Sequence, residues 1–176
     1  WDLYRIRQHC KADIVVIFSD DFAERVGGGV QLDAMNYSAA VGLEFCRKYA
    51  YCACEIGRVR DRQIMLHEIG HIMGAGHGRN MWSGDSSPGA RDFAMAHVFR
   101  DGGKLYTTVM GYPRPASQGE PIEVMPCFSS PDYETLSGVA VGTVSNDNTR
   151  ILRETYAIVA NFNVAKKRKR QEVSEK

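Results

Sequence analysis

The run His67-Glu68-Ile69-Gly70-His71-Ile72-Met73-Gly74-Ala75-Gly76-His77 has the pattern H-E-x-x-H-x-x-G-x-x-H. On a helix, residues four apart lie on one face, one turn from each other. His67 and His71 therefore point the same way and can hold one metal ion between their rings. Glu68 is rotated off that face, better placed to reach a water on the metal than the metal itself. Gly74 lies one turn past His71. Glycine takes positive φ at little steric cost, so it can end the helix and turn the chain back. That turn lets His77 approach as a third ligand from another direction. Three protein ligands leave the fourth position of a zinc ion open, the arrangement of a catalytic site. Such an ion lowers the pKa of a water to about 7 and polarises a carbonyl. Glu68 would take the proton as the water attacks and pass it to the departing amine. A purely structural ion fits the pattern less well, because closed zinc sites use four protein ligands, mostly Cys and His.

These residues need a helix and a scaffold around it. Asp61 can cap the start of the zinc helix, and Ile64, Met65, Ile69, Ile72 and Met73 give it an apolar face. Residues 2–11 can form a helix. The run Ile14-Val15-Val16-Ile17-Phe18, within 12–19, suits a buried strand. Residues 30–34 read as an edge strand, 36–48 as helical, and 49–56 as the strand leading into the zinc helix. From Gly78 to Gly103 the chain reads mostly as loop, and its Asp85 and Asp92 as solvated acids rather than calcium ligands. Residues 113–127, with four prolines, read as loop walling a cleft. Ser145 or Asn146 can cap a last helix whose buried face is Ile151, Leu152, Thr155, Ile158, Val159 and Phe162. Gly27-Gly28-Gly29 lacks the Lys-Ser/Thr ending of a phosphate loop, which excludes nucleotide binding there. His9 and His97 stand outside the motif.

The zinc motif, with Thr107-Thr108-Val109-Met110-Gly111-Tyr112 downstream, resembles the metzincin zinc peptidases. Met110 would be the methionine of their Met-turn, a hydrophobic base under the imidazoles and not a ligand. Tyr112 is a candidate transition-state residue or fifth ligand. A tyrosine at this place has that role in astacin-like and serralysin-like members and lacks it in other branches. Cys127-Phe128-Ser129-Ser130-Pro131, Gly138-Val139-Ala140-Val141-Gly142 and the helix from Asp147 to Phe162 are similar to the end of reprolysin-like enzymes, the bacterial peptidyl-Asp metalloendopeptidases being the nearest group. The resemblance covers most of residues 11–163. One departure is Gly78, where reprolysins usually carry Asp directly after the third His.

The resemblance implies an α/β (α+β) metzincin-type fold: a mixed sheet, the zinc helix, a mostly irregular part with the Met-turn, and a C-terminal helix. Residues 1–163 would form one catalytic domain, divided into 1–77 and 78–163. The strand, helix and strand that metzincins place before the segment resembled by residues 1–18 would be missing. The implied activity is a secreted, monomeric zinc endopeptidase. One Zn2+ would be held by His67, His71 and His77, with Glu68 as general base and acid. The substrate would be an extended polypeptide, glycoproteins included, paired to the edge strand. The alternative is a weak or inactive zinc-containing module that binds proteins or glycoproteins.

Five cysteines occur: Cys10, Cys46, Cys52, Cys54 and Cys127. None has zinc-ribbon spacing, and an odd count leaves at least one unpaired in the chain. Reprolysins have a bridge in the region where Cys46, Cys52 or Cys54 would meet Cys127; buried free thiols are the other reading. The 176 residues suffice for one domain with a core, and the net charge of +1 gives no field that argues for nucleic acid or membrane. No apolar run approaches the ~20 residues of a membrane helix. Neither an initiator Met nor a signal peptide is present, so the chain reads as a mature product or a fragment. Lys166-Lys167-Arg168-Lys169-Arg170 reads as part of a solvated, disordered tail over 164–176, rather than a nucleic-acid signal.

Overall fold

The computed structural model describes residues 3–20, 29–32, 49–56, 63–79 and 89–163. The expected helix over 36–48, the Asp61 cap, Asp85, Cys46 and the basic tail all lie outside the described residues. What is described is a small mixed α+β domain with three α-helices and two three-stranded sheets.

Helix α1 covers Leu3–Cys10. The first sheet is mixed, in the order β1 (Val15–Ser19), β3 (Tyr51–Glu55), β2 (Gly29–Leu32). Strand β1 runs parallel to β3, Val15 opposite Tyr51, and β2 runs antiparallel to it, Leu32 opposite Tyr51. The central place thus falls to β3, whose Tyr51, Cys52, Ala53 and Cys54 are all buried. The apolar run of β1 does not make it the buried strand. It lies at the sheet edge, half-buried, with Phe18 47% exposed. β2 is the edge strand anticipated near residue 30.

Helix α2 (Ile64–Ile72) carries the motif and packs on β3 and β2. Its first cap position is Gln63, at φ 55° and without a side-chain cap bond; its carbonyl takes the His67 N–H at 3.1 Å. Below α2, Ile72 meets Ala50, Cys52 and Cys54, and the end of helix α3 (Asn148–Val159) closes the cluster with Val159 and Phe162. A second cluster gathers Ala75, Ala94, Ala96, Val109, Met110 and Ile151, with Phe128 packed against it. Helix α3 therefore contributes to both cores, Ile151 in one and Val159 in the other. Its cap is Asp147, which accepts the Arg150 N–H at 2.9 Å, and not Ser145 or Asn146. Asn146 is drawn away by donating to the Ala96 carbonyl at 2.7 Å.

The half after the motif is less irregular than expected. Strands β4 (Val98–Asp101), β5 (Lys104–Thr108) and β6 (Ile122–Met125) form a second sheet in that order. β4 and β5 make a hairpin closed by Gly102-Gly103, both at positive φ, as a two-residue turn of the primed kind requires. β6 runs parallel to β5 inside the proline-rich stretch, after a single 3-10 turn at Ala116–Gln118.

The bridges proposed from Cys52 or Cys54 to Cys127 are not formed; all three thiols are free. Cys52 and Cys54 alternate with Ala53 on β3 and face the first core, whereas Cys127 follows β6 and accepts the Val109 N–H on its carbonyl. Burial pushes the Cys52 thiol up to about 12, with the neighbouring Cys54 and Glu68 adding to the shift, and it also raises Cys54 and Cys127. These thiols are packing groups.

Candidate metal centre

Helix α2 places His67 and His71 one turn apart, and their rings meet edge to face at 4.7 Å. The helix then ends in a Schellman arrangement. Gly74 takes φ +93°, its N–H bonds the His71 carbonyl at 2.9 Å, and the Ala75 N–H returns to the Gly70 carbonyl at 2.9 Å. This is the turn anticipated at Gly74, and it brings His77 back over the helix. The three Nε2 atoms converge: His67 to His77 3.1 Å, His67 to His71 3.1 Å, His71 to His77 3.0 Å.

Two of these contacts can be assigned by proton bookkeeping. A carbonyl only accepts, so His67 Nδ1 donates to the Val109 carbonyl at 2.9 Å and His71 Nδ1 donates to the Ala75 carbonyl at 3.0 Å. With the ring proton on Nδ1, each neutral ring turns Nε2 to the centre as an acceptor. The Nε2 atoms of His67 and His71 then face each other at 3.1 Å, an arrangement that a cation between them would favour. Three nitrogens bound at about 2.0–2.1 Å to one tetrahedral zinc are about 3.3 Å apart, so the triangle fits a metal to within about 0.3 Å. These three histidines could hold a metal ion, and among the described residues they are the group of that kind. His9 and His97 stand apart from it.

All three rings are buried, as is Glu68 at 4% exposure. Burial alone lifts the Glu68 carboxyl to about 7. The Tyr112 hydroxyl lies 3.1 Å from Nε2 and 3.4 Å from Nδ1 of His77. It lies against the His77 ring, closer to Nε2 than to Nδ1. Its ring is 4.7 Å from that of His77. Tyr112 thus joins the motif residues in space.

Met110 sits in a turn that the Gly111 N–H closes onto the Thr108 carbonyl at 2.8 Å. It is fully buried and touches α2 from below. A Cβ on Gly70 would come 2.6 Å from Met110 Sδ and 2.9 Å from Phe128 Cε1. The sequence pattern treats residue 70 as free; the packing does not. Alanine there would gain about 1 kcal/mol of helix propensity. Overpacking costs about 1–3 kcal/mol. Since the Phe128 ring cannot swing aside as a thioether can, Gly70→Ala is expected to lose stability on balance, by up to about 2 kcal/mol. Urea unfolding of both proteins, with equal slopes, measures it.

Other residues that support the site gave no sign of it in the sequence. Val109 and Ala75 act through backbone carbonyls, which no residue type announces. Asn148 read only as part of a helix start, yet it reaches Gly76. No helix among the described residues is long and apolar enough to cross a membrane. In comparisons with known proteins, no protein family, curated protein or solved structure matches the chain.

Proposed function

We propose that this protein is a zinc-dependent endopeptidase of metzincin type, secreted and acting on extended polypeptides. The observation that carries the reading is the meeting of three Nε2 atoms, two of them on rings fixed by Nδ1 donation to Val109 and Ala75, with a buried carboxylate on the adjoining helical residue. Imidazoles suit several first-row ions. Zinc is favoured because three histidines plus one free position is its hydrolytic arrangement.

Zinc held by His67, His71 and His77 would supply Lewis acidity toward a water nucleophile and a peptide carbonyl. Glu68 would accept the proton of the attacking water and return it to the amine that leaves. A carboxyl raised toward neutrality by burial suits both halves of that exchange. Met110 and Phe128 pack against the helix at Gly70, between the first two histidines. Tyr112, which lies against His77, would donate toward an oxyanion forming at the site. The edge strand β2 would pair with the substrate backbone.

The test is incubation of the zinc-loaded chain with a denatured protein, with new N-termini read by mass spectrometry. Cleavage that stops with a chelator and returns with zinc is expected. Stoichiometric zinc binding without any cleavage would replace the peptidase by a zinc-containing protein-binding module.

A further inference from the structure

We infer that Asn148, on the C-terminal helix, is a positioning residue for the third metal ligand: its amide clamps the peptide of Gly76 and thereby sets the place of His77. The inference rests on the metal-site reading above.

The segment from Gly74 to His77 has left helix α2 and has no regular partner, yet its ligand must arrive within a few tenths of an ångström of two rings fixed on the helix. Its backbone groups are held one by one. The Gly74 carbonyl accepts the Ala90 N–H at 2.8 Å, and the Ala75 carbonyl accepts His71 Nδ1. Gly76, the residue before the ligand, is held on both sides by one side chain. Its N–H donates to Asn148 Oδ1 at 3.1 Å, and its carbonyl accepts from Asn148 Nδ2 at 3.1 Å as well as from the Ala96 N–H at 3.1 Å, so the N–H side depends on Asn148 and the carbonyl is shared. Because an N–H only donates and a carbonyl only accepts, these two contacts fix which way the amide points. A primary amide is the side chain that offers one donor and one acceptor at this spacing, so it mimics a strand neighbour within a turn.

Asn148 is itself immobilised. It is fully buried, and its own N–H donates to Ser129 Oγ at 3.0 Å. The Thr149 N–H takes the Ser129 carbonyl at 2.9 Å, and Ser129 Oγ donates to the Met95 carbonyl at 2.5 Å. Thus the chain of bonds from Ser129 through Asn148 to Gly76 runs from the segment after the second sheet to the ligand loop. Partners that orient metal ligands typically contribute about 10–100-fold to metal affinity.

The experiment uses the full chain and two probes, Zn2+ by competition with a chromophoric chelator and Co2+ by its visible spectrum. Asn148→Ala and the isosteric Asn148→Asp, which loses the donor to the Gly76 carbonyl, are each expected to weaken zinc binding by about 10–100-fold and to change the cobalt spectrum. Thr155→Val is the structural control. Its hydroxyl bonds Met73 and Ile151 from the same helix, so its loss should lower the melting temperature and leave zinc affinity and the cobalt spectrum unchanged. If Asn148 acts through His77, Asn148→Ala should cost no further affinity in a His77→Ala background. Wild-type affinity in both Asn148 variants, or an undiminished loss in the His77→Ala background, would overturn the inference; should Asn148→Ala not fold, the Asp variant decides. Wild-type protein that binds neither ion would overturn the metal-site reading as well, whereas normal wild-type binding with unaffected Asn148 variants removes this inference alone.

Discussion

Glu68→Gln is expected to lower turnover on a denatured protein substrate by about 10²–10⁴-fold, the range for loss of a positioned general base. Zinc should still bind at one equivalent. Glutamine keeps the shape and reach of the side chain but cannot take a proton from water. The three rings are held from elsewhere, by the Val109 and Ala75 carbonyls and the Gly74 turn, so the substitution leaves the metal ligands where they are. Loss of folding would not explain the defect. The shift of Glu68 comes from desolvation, so burying a neutral amide is less costly than burying the carboxylate. Turnover of the variant within tenfold of wild type, at equal zinc content, would remove Glu68 from the chemistry. A defect in KM alone would assign it to binding.

The motif was legible because its spacing follows from what three ligands of one metal ion need. Two rings one turn apart, a carboxylate beside the first and a glycine turn before the third can each be derived from helix geometry, and the Schellman turn at Gly74 meets that derivation in detail. The strand over Tyr51–Glu55 and the apolar face of the last helix were legible for a similar reason: local period and burial agree. The second sheet was not. Its three strands are only four or five residues long. Pro121 and Pro126 mark a loop by composition, but here they bracket β6, where a missing N–H at the strand boundary costs no ladder bond. Asp101-Gly102-Gly103-Lys104 did carry a two-residue hairpin signal, hidden in a stretch whose Gly, Ser and Asp content suggested loop throughout. Four consecutive residues, Ser145 to Asn148, are all types that cap helices. Which one caps was decided by tertiary bonds: Asn146 to Ala96, Asn148 to Gly76, leaving Asp147. For the same reason Asn148 could not be read as a support of the metal site, since its partner lies 72 positions away in sequence.

Removing the metal is expected to lower the melting temperature by a large amount, because an ion held by three buried histidines of the folded chain binds the folded state alone. With Nδ1 of His67 and His71 committed to carbonyls, their Nε2 atoms meet at 3.1 Å, where one ion can be shared. At free zinc about 1,000-fold above its dissociation constant, the added stability is about 4 kcal/mol. At about 2–4 °C per kcal/mol for a chain of this size, that corresponds to about 8–16 °C between zinc-loaded and chelated protein. His71→Ala separates the metal effect from ordinary packing. In chelator it loses the hydrogen bond to the Ala75 carbonyl, worth about 1 kcal/mol, so it should melt only a few degrees below the wild type. In zinc the wild type should rise by the full increment and the variant should stay near its chelated value. A wild-type melting temperature indifferent to chelation, or a His71→Ala protein that keeps the zinc increment, would show that the histidines meet for another reason than to hold an ion.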